Sequence, residues 1–280
     1  MVCCSVRHGG VELLGQRRGL ATYAATGSTM GIPFLHPWAN RLAGPRYEQG
    51  GRTVTLREGA PGVRLEGNGL PMHGLLGGSR DWRVEVLEAA GEQARLVAEL
   101  RFDRPALLES FPFAHRVGLT ATLRPAALRM EVAVRATGDV AVPISFGFHP
   151  YLQLGGERAA LELTLPARTH LALDARGLPT GASEEQDAER APLGERTFDD
   201  LYGVSDDPVA FSVRDAQRAV TVRFVHGYPF AQVFAPPGEA FVCFEPMTAT
   251  VSALTRSGGC PLVPAYDAAF AVEVGSTMGG

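Results

Sequence analysis

Residues 117–134 constrain the fold of this 280-residue chain more than any other stretch. Val117, Leu119, Ala121 and Leu123 alternate with Gly118, Thr120 and Thr122. After Arg124-Pro-Ala-Ala127, Leu128, Met130, Val132 and Val134 alternate with Arg129, Glu131, Ala133 and Arg135. A strand turns successive side chains to opposite faces, so a period of two gathers the apolar residues on one side. Two such runs joined by a short turn predict an antiparallel hairpin with one face buried and one solvated. Shorter runs at 96–102, 161–165, 220–224 and 270–274 predict further strands, and 33 glycines and 20 prolines punctuate them with turns. Helical patterning is almost absent. The stretch 183–190 is the one place for a short helix, with an exposed loop as the alternative. No βαβ rhythm appears, which argues against a doubly wound parallel sheet. The expectation is an all-β protein, a large sandwich or barrel with few or no helices. The polar stretch 177–197 reads as a long surface loop and not a boundary, so residues 1–280 are expected to form a single domain.

Composition narrows the function classes. Hydrophobic residues make up 45% and charged residues 20% of the chain, an ordinary globular balance. The net charge of −4 favours neither nucleic acid nor an anionic membrane surface. Every basic residue is arginine, and the arginines are scattered. Cys3, Cys4, Cys243 and Cys260 show neither zinc spacing nor the density of a disulfide scaffold. The start has no basic stretch followed by a long apolar core, and no apolar run approaches the length that spans a bilayer. A soluble cytoplasmic protein is expected, with its first ten residues poorly ordered.

Several polar residues interrupt apolar runs. Glu245 closes Phe241-Val-Cys-Phe-Glu and precedes Pro246, sharing a strand face with Phe241 and Cys243, which places it at a sheet rim or in a cleft. Partial burial would raise its pKa toward neutrality, as suits a general base. His149 closes Pro143-Ile-Ser-Phe-Gly-Phe-His, and Pro150 biases it toward extended backbone. An acid and a base held apart by a fixed gap serve a reaction in which one proton leaves and another arrives nearby. Tyr151 adds an aromatic face suited to stacking on a sugar ring, and a hydroxyl. His73 lies in a turn-rich loop, 67–74. Asn40-Arg41 offers an amide beside a guanidinium fork able to grip vicinal hydroxyls. Asp199-Asp200 follows the polar stretch, and one of the two serves as a turn former. There is no Gly-x-Ser-x-Gly elbow, no His-Glu-x-x-His motif and no phosphate loop, so neither a metal nor a cofactor is expected. A metal set of His73, His149 and Glu245 is the weaker alternative use of those side chains.

Together these segments resemble the aldose 1-epimerases, also called galactose mutarotases. The resemblance runs from Gly31 to about Val274. It rests on Pro37-Trp-Ala-Asn-Arg41, His73-Gly74 with Trp82 downstream, Phe148-His-Pro-Tyr151, Phe198-Asp-Asp-Leu-Tyr202 and Phe244-Glu-Pro-Met-Thr-Ala249, in that order. The resemblance implies a large antiparallel β-supersandwich with a carbohydrate cleft. It also implies Glu245 as catalytic base, His149 as catalytic acid, and His73, Asn40, Arg41 and Asp199 as sugar contacts, with Asp199 a better match than Asp200. The chain departs from the pattern at Leu152, Ser252 and Pro264-Ala265. Interconversion of the anomers of a free aldose, without cofactor, is the expected activity. The alternatives are a hexose 6-phosphate substrate gripped by Arg41, Arg80 and Arg83, a glycosidase using Glu245 with Asp199, and a non-catalytic sugar-binding protein.

Overall fold

The computed structural model describes residues 1–16, 19–26, 29–204 and 208–277, the side chains of 24–26 excepted. Two nine-stranded sheets dominate it. The first runs, in spatial order, Val2–Cys3, Ile32–Leu35, Gly147–Phe148, Val242–Met247, Phe230–Ala235, Phe198–Gly203, Arg168–Leu173 and Pro179–Gln186, and Tyr151–Leu152 also pairs with Val242–Met247. The second runs Glu189–Pro192, Glu162–Leu165, Val209–Arg214, Arg218–His226, Ala265–Ser276, Ala127–Ala136, His115–Arg124, Gln93–Phe102 and Arg83–Ala90. The strand ladders of both sheets are antiparallel. The hairpin expected at 117–134 is present, with Arg124 opposite Ala127 across the turn.

The sheets pack face to face because the inward side of each is apolar. Phe244 of the first meets Phe211 of the second with ring centroids 5.6 Å apart, and Phe148 meets Phe270 at 4.8 Å. Each such fully buried ring contributes about 1.5–3 kcal/mol by leaving water. The outward face of the first sheet carries a second, smaller apolar cluster of Leu35, Ala39, Leu70, Leu178, Leu201, Met247 and Val251. That face is therefore covered too, by the loops after Leu35 and around Leu70. The covering loops build one wall of a cleft and the sheet its floor.

Three expectations need correction. Residues 183–190 form neither a helix nor a loop, because strands Pro179–Gln186 and Glu189–Pro192 run through them. These are edge strands, one on each sheet, and the first is exposed along almost its whole length. With both faces in water, the strand has no apolar face to leave a period-two signature, and its charges suit an edge that must not pair further. Consequently 177–197 is not a surface loop. The first ten residues are also ordered: Val2–Cys3 joins the edge of the first sheet, and Arg7–His8 pairs with Val11–Glu12. The helices are short, at Leu20–Thr26 and Pro105–Leu108.

Beneath the cleft wall lies a buried histidine pair. His36 Nε2 and His115 Nε2 are 2.7 Å apart, and His115 Nδ1 lies 2.6 Å from the Phe113 carbonyl. The carbonyl can only accept, so His115 carries its proton on Nδ1 and His36 donates from Nε2; both rings are neutral. Phe34, Phe102, Phe111 and Phe146 surround them. The backbone of His36 reaches the cleft wall: its carbonyl accepts from Leu75 N at 2.7 Å and Leu76 N at 3.2 Å.

Candidate functional site

The outward face of the first sheet supplies the floor of the site. Along Val242–Met247 the side chains alternate, Val242 and Phe244 entering the main core while Cys243 packs with Phe241 and Tyr151 on the other side. Glu245 falls on this second side, within the strand and not at its rim, and is 1% exposed. His149 sits between the short strands Gly147–Phe148 and Tyr151–Leu152, which lie beside Val242–Met247. Its Nε2 is 3.1 Å from Glu245 Oε1. The expected gap between acid and base is thus closed to direct contact between the two side chains. The His149 ring is fixed by stacking on Tyr151, with centroids 4.4 Å apart and planes 7° apart, and the Tyr151 hydroxyl lies 3.4 Å from the same Nε2. Tyr151 is 1% exposed, its ring lying between His149 and Phe241. It therefore orients the imidazole, and the aromatic ring expected to stack on a sugar is spent on that contact.

Burial pushes the Glu245 carboxyl well above the ordinary carboxylate range; the charge of Asp199 adds to this and Arg41 opposes it. The cause is loss of water around the charged form. Oε2 of Glu245 has no hydrogen-bond partner among the described residues. A buried acceptor in that state is costly unless a ligand supplies the donor.

The wall comes from loops. Asn40, His73 and Ser252 are the described non-glycine residues with positive φ, at 56°, 61° and 61°. Such backbone costs of order 1–3 kcal/mol per residue and gathers at functional sites. The three are tied together: His73 N donates to Asn40 O at 3.0 Å, Ser252 N to Arg41 O at 2.9 Å, and Ala43 N to Ser252 Oγ at 2.7 Å. Asn40 Oδ1 accepts from Arg41 N at 2.8 Å and Arg41 Nη1 at 3.1 Å. This aims the guanidinium across the cleft, where Nη2 meets Asp199 Oδ2 at 3.4 Å. Burial, with help from Arg41 and Arg64, pushes His73 down to about 3, so its ring is neutral and can both donate and accept. It packs edge-to-face on His149 at 5.6 Å.

Gly74 carries this loop past the core. At φ 69°, a Cβ on it would stand 2.2 Å from the His36 carbonyl oxygen. Gly74→Ala should therefore lose about 1–3 kcal/mol of stability and displace His73, seen as a lower Tm. An unchanged Tm would contradict the close approach.

Glu245, His149, Asn40, Arg41, His73, Asp199 and Tyr151 all line one cavity of about 300 Å³, at the small end of ligand sites. Asp200 points to the other face, where Oδ1 meets His170 Nε2 at 3.2 Å. Arg80 and Arg83 do not line the cavity, and Arg83 pairs with Glu85. Sequence reasoning missed Arg64, Glu66, Thr29 and Phe234, which also line it. It missed Gln232 as well, buried directly across the ladder from Glu245 and donating from Nε2 to Asp199 Oδ1 at 2.7 Å. The period-two pattern of Phe230–Ala235 places Gln232 and Phe234 on the face of Asp199, and that was the signal available. No group of three or more potential metal ligands occurs among the described residues.

Comparison with known proteins agrees in fold. A galactose mutarotase-like protein of Clostridium acetobutylicum superposes with a TM-score of 0.79 at 18% identity, covering 96% of this chain and 87% of its own. Galactose 1-epimerase of Lactobacillus acidophilus superposes with a TM-score of 0.78 at 14% identity, covering 98% and 88%. At these identities the likeness is one of fold. A curated relative, described as uncharacterized protein YihR of Escherichia coli K12, is 26% identical over 207 residues, which is 72% of this chain but only 63% of the relative. The family model for aldose 1-epimerase matches residues 5–262. This chain belongs to the aldose 1-epimerase family.

Proposed function

We propose that the protein is an aldose 1-epimerase that interconverts the α and β anomers of a free hexose. The observation that carries the reading is the 3.1 Å approach of His149 Nε2 to Glu245 Oε1 on the floor of a sugar-sized cavity. Ring opening moves one proton off O1 and another onto O5, and both oxygens are bonded to C1. A donor and an acceptor serving two oxygens on one carbon must themselves be close neighbours. A pair 3.1 Å apart meets that need.

In the forward direction the Glu245 carboxylate takes the O1 proton while His149 Nε2–H donates to O5. The C1–O5 bond breaks and O1 becomes the aldehyde oxygen. Rotation about C1–C2 presents the other carbonyl face, O5 attacks it, and the two side chains return their protons in the opposite sense. Burial of Glu245 makes it a stronger base than an exposed carboxylate, so the transfer is better matched to a weakly acidic anomeric hydroxyl. Arg41, Asn40, His73 and Asp199 hold the remaining hydroxyls, and Gln232 fixes the Asp199 carboxylate. The adjacency of an imidazole and a carboxylate favours this chemistry over a glycosidase with two carboxylates on opposite faces of a bond.

Polarimetry on freshly dissolved α-D-glucose and α-D-galactose tests the proposal. The protein should speed the approach to anomeric equilibrium, with a bell-shaped pH dependence of kcat/KM. Inertness toward both sugars, or a flat profile from about pH 5 to 9, would overturn the assignment.

A further inference from the structure

The core-facing side of the second sheet runs on past the first sheet. Strand Arg83–Ala90 is the last of its sheet, and among the described residues its outer edge pairs with no other strand. Cross-strand neighbours share a face, and the ladder sets Val84 opposite Ala98, Leu87 opposite Leu96 and Ala89 opposite Ala94. Leu87 and Leu96 continue across the sheet through Ala121 and Met130 to Phe270. Met130 and Phe270 are buried in the core, yet Leu87 at the end of the same row is 80% exposed and Val84 beside it 53%. Arg83–Ala90 thus presents a core-type face that nothing in its own chain covers.

An exposed edge of this kind is a template for another strand, and charged side chains decide which one it accepts. The ladder slips between Val84 and Val86, which makes Glu85 an inserted residue. Arg83, Val86 and Glu88, opposite Glu99, Val97 and Arg95, consequently share the outward side. The insertion gives the strand a two-fold match to itself. Let a second copy pair antiparallel about an axis between Glu85 and Val86. Val84 then stands opposite Leu87 of the second copy on the core-facing side, and Arg83 opposite Glu88 of the second copy on the outward side. Each contact occurs twice, as a closed two-fold interface requires. Registers centred on Glu88, or between Val86 and Leu87, bring glutamates opposite each other instead, which is unfavourable. Both Arg83 and Glu88 are exposed, with partners Glu85 and Arg95 in their own sheet. We propose that the protein pairs with a second copy of itself through Arg83–Ala90, joining two nine-stranded sheets edge to edge and covering Leu87. The cavity lies on the other sheet, so pairing leaves it open in both copies.

Sedimentation equilibrium on the full chain, from about 1 to about 100 µM, tests this, since association by mass action must follow concentration. Wild type should approach twice the 29.8 kDa of one chain as concentration rises. Leu87→Lys should stay at one chain mass throughout. Leu87 is exposed and does not line the cavity, so this variant should keep the wild-type Tm and the wild-type rate in polarimetry. Arg83→Glu and Glu88→Arg each set like charges opposite one another across the axis, and each should weaken association about tenfold. The double reversal Arg83→Glu/Glu88→Arg restores opposite charges there and should recover the dimer. It leaves the pairings with Glu85 and Arg95 reversed, so recovery reports the contact between copies and not one within a chain. A wild type at one chain mass throughout, a dimer indifferent to Leu87→Lys, or a double reversal no better than the single ones would overturn the proposal.

Discussion

Glu245→Gln should lower kcat for anomerisation by about 10²–10⁴-fold while leaving the protein at least as thermostable as wild type. The amide has nearly the shape of the carboxyl, so Phe244 and Cys243 on either side of the backbone keep their packing. What changes is proton affinity: glutamine cannot take the O1 proton. The folded state meanwhile sheds a carboxyl that burial at 1% exposure makes hard to ionise. Sugar binding should persist, because Arg41, Asn40, His73 and Asp199 are untouched. Polarimetry, calorimetry with glucose and a melting curve on the same preparation check all three. A variant that keeps more than about a tenth of wild-type kcat would remove Glu245 as the base.

Stability should fall steeply as pH drops from about 6.5 to 5, because three buried histidines are held neutral. Burial pushes His36 well below its ordinary value, His115 down to about 4 and His73 to about 3. In the unfolded chain each titrates near 6.5. Between these limits the unfolded state binds the extra protons, so lowering the pH favours unfolding. Glu245 acts in the opposite sense, since its raised folded value lets the native state keep a proton that the unfolded chain releases. Three histidines outnumber this single opposing carboxyl, so the net effect is a loss of stability as the pH falls. Calorimetric Tm values at half-unit steps from pH 7.5 to 5 read this directly. Glu245→Gln removes the opposing contribution and should steepen the fall. A Tm flat across this interval would contradict neutral burial of the His36–His115 pair.

The contrast between elements explains what was legible beforehand. The 117–134 hairpin announces itself because one face is packed and the other is wet, so each residue reports its side. Strand Pro179–Gln186 is wet on both sides and reports nothing, which is why it read as a loop. Strand Val242–Met247 is buried on both faces, one against the opposite sheet and one against the cleft, so its apolar run located Glu245 but left rim and cleft as alternatives. The site residues came to attention through the order of several short segments, and those segments do converge on one cavity. Arg64 and Glu66 could not be found that way. Each is an ordinary charged residue in a turn-rich loop until the fold brings the loop over the sheet. Arg80 and Arg83 show the converse, being near in sequence to His73 and yet turned away from the cavity.

Placing a carboxylate next to a phenyl ring on a completely buried strand also guards against misassembly. If Val242–Met247 slid by one residue against Phe230–Ala235, every side chain would change faces. Glu245 would then point at Phe211 and its neighbours, and Phe244 would fill the cleft. An ionisable group driven into an aromatic interior costs far more than one ladder bond can return. The same carboxyl that is proposed to move the proton therefore also pins the strand in register, and misregistered chains are rejected during folding by the residue they would need for turnover.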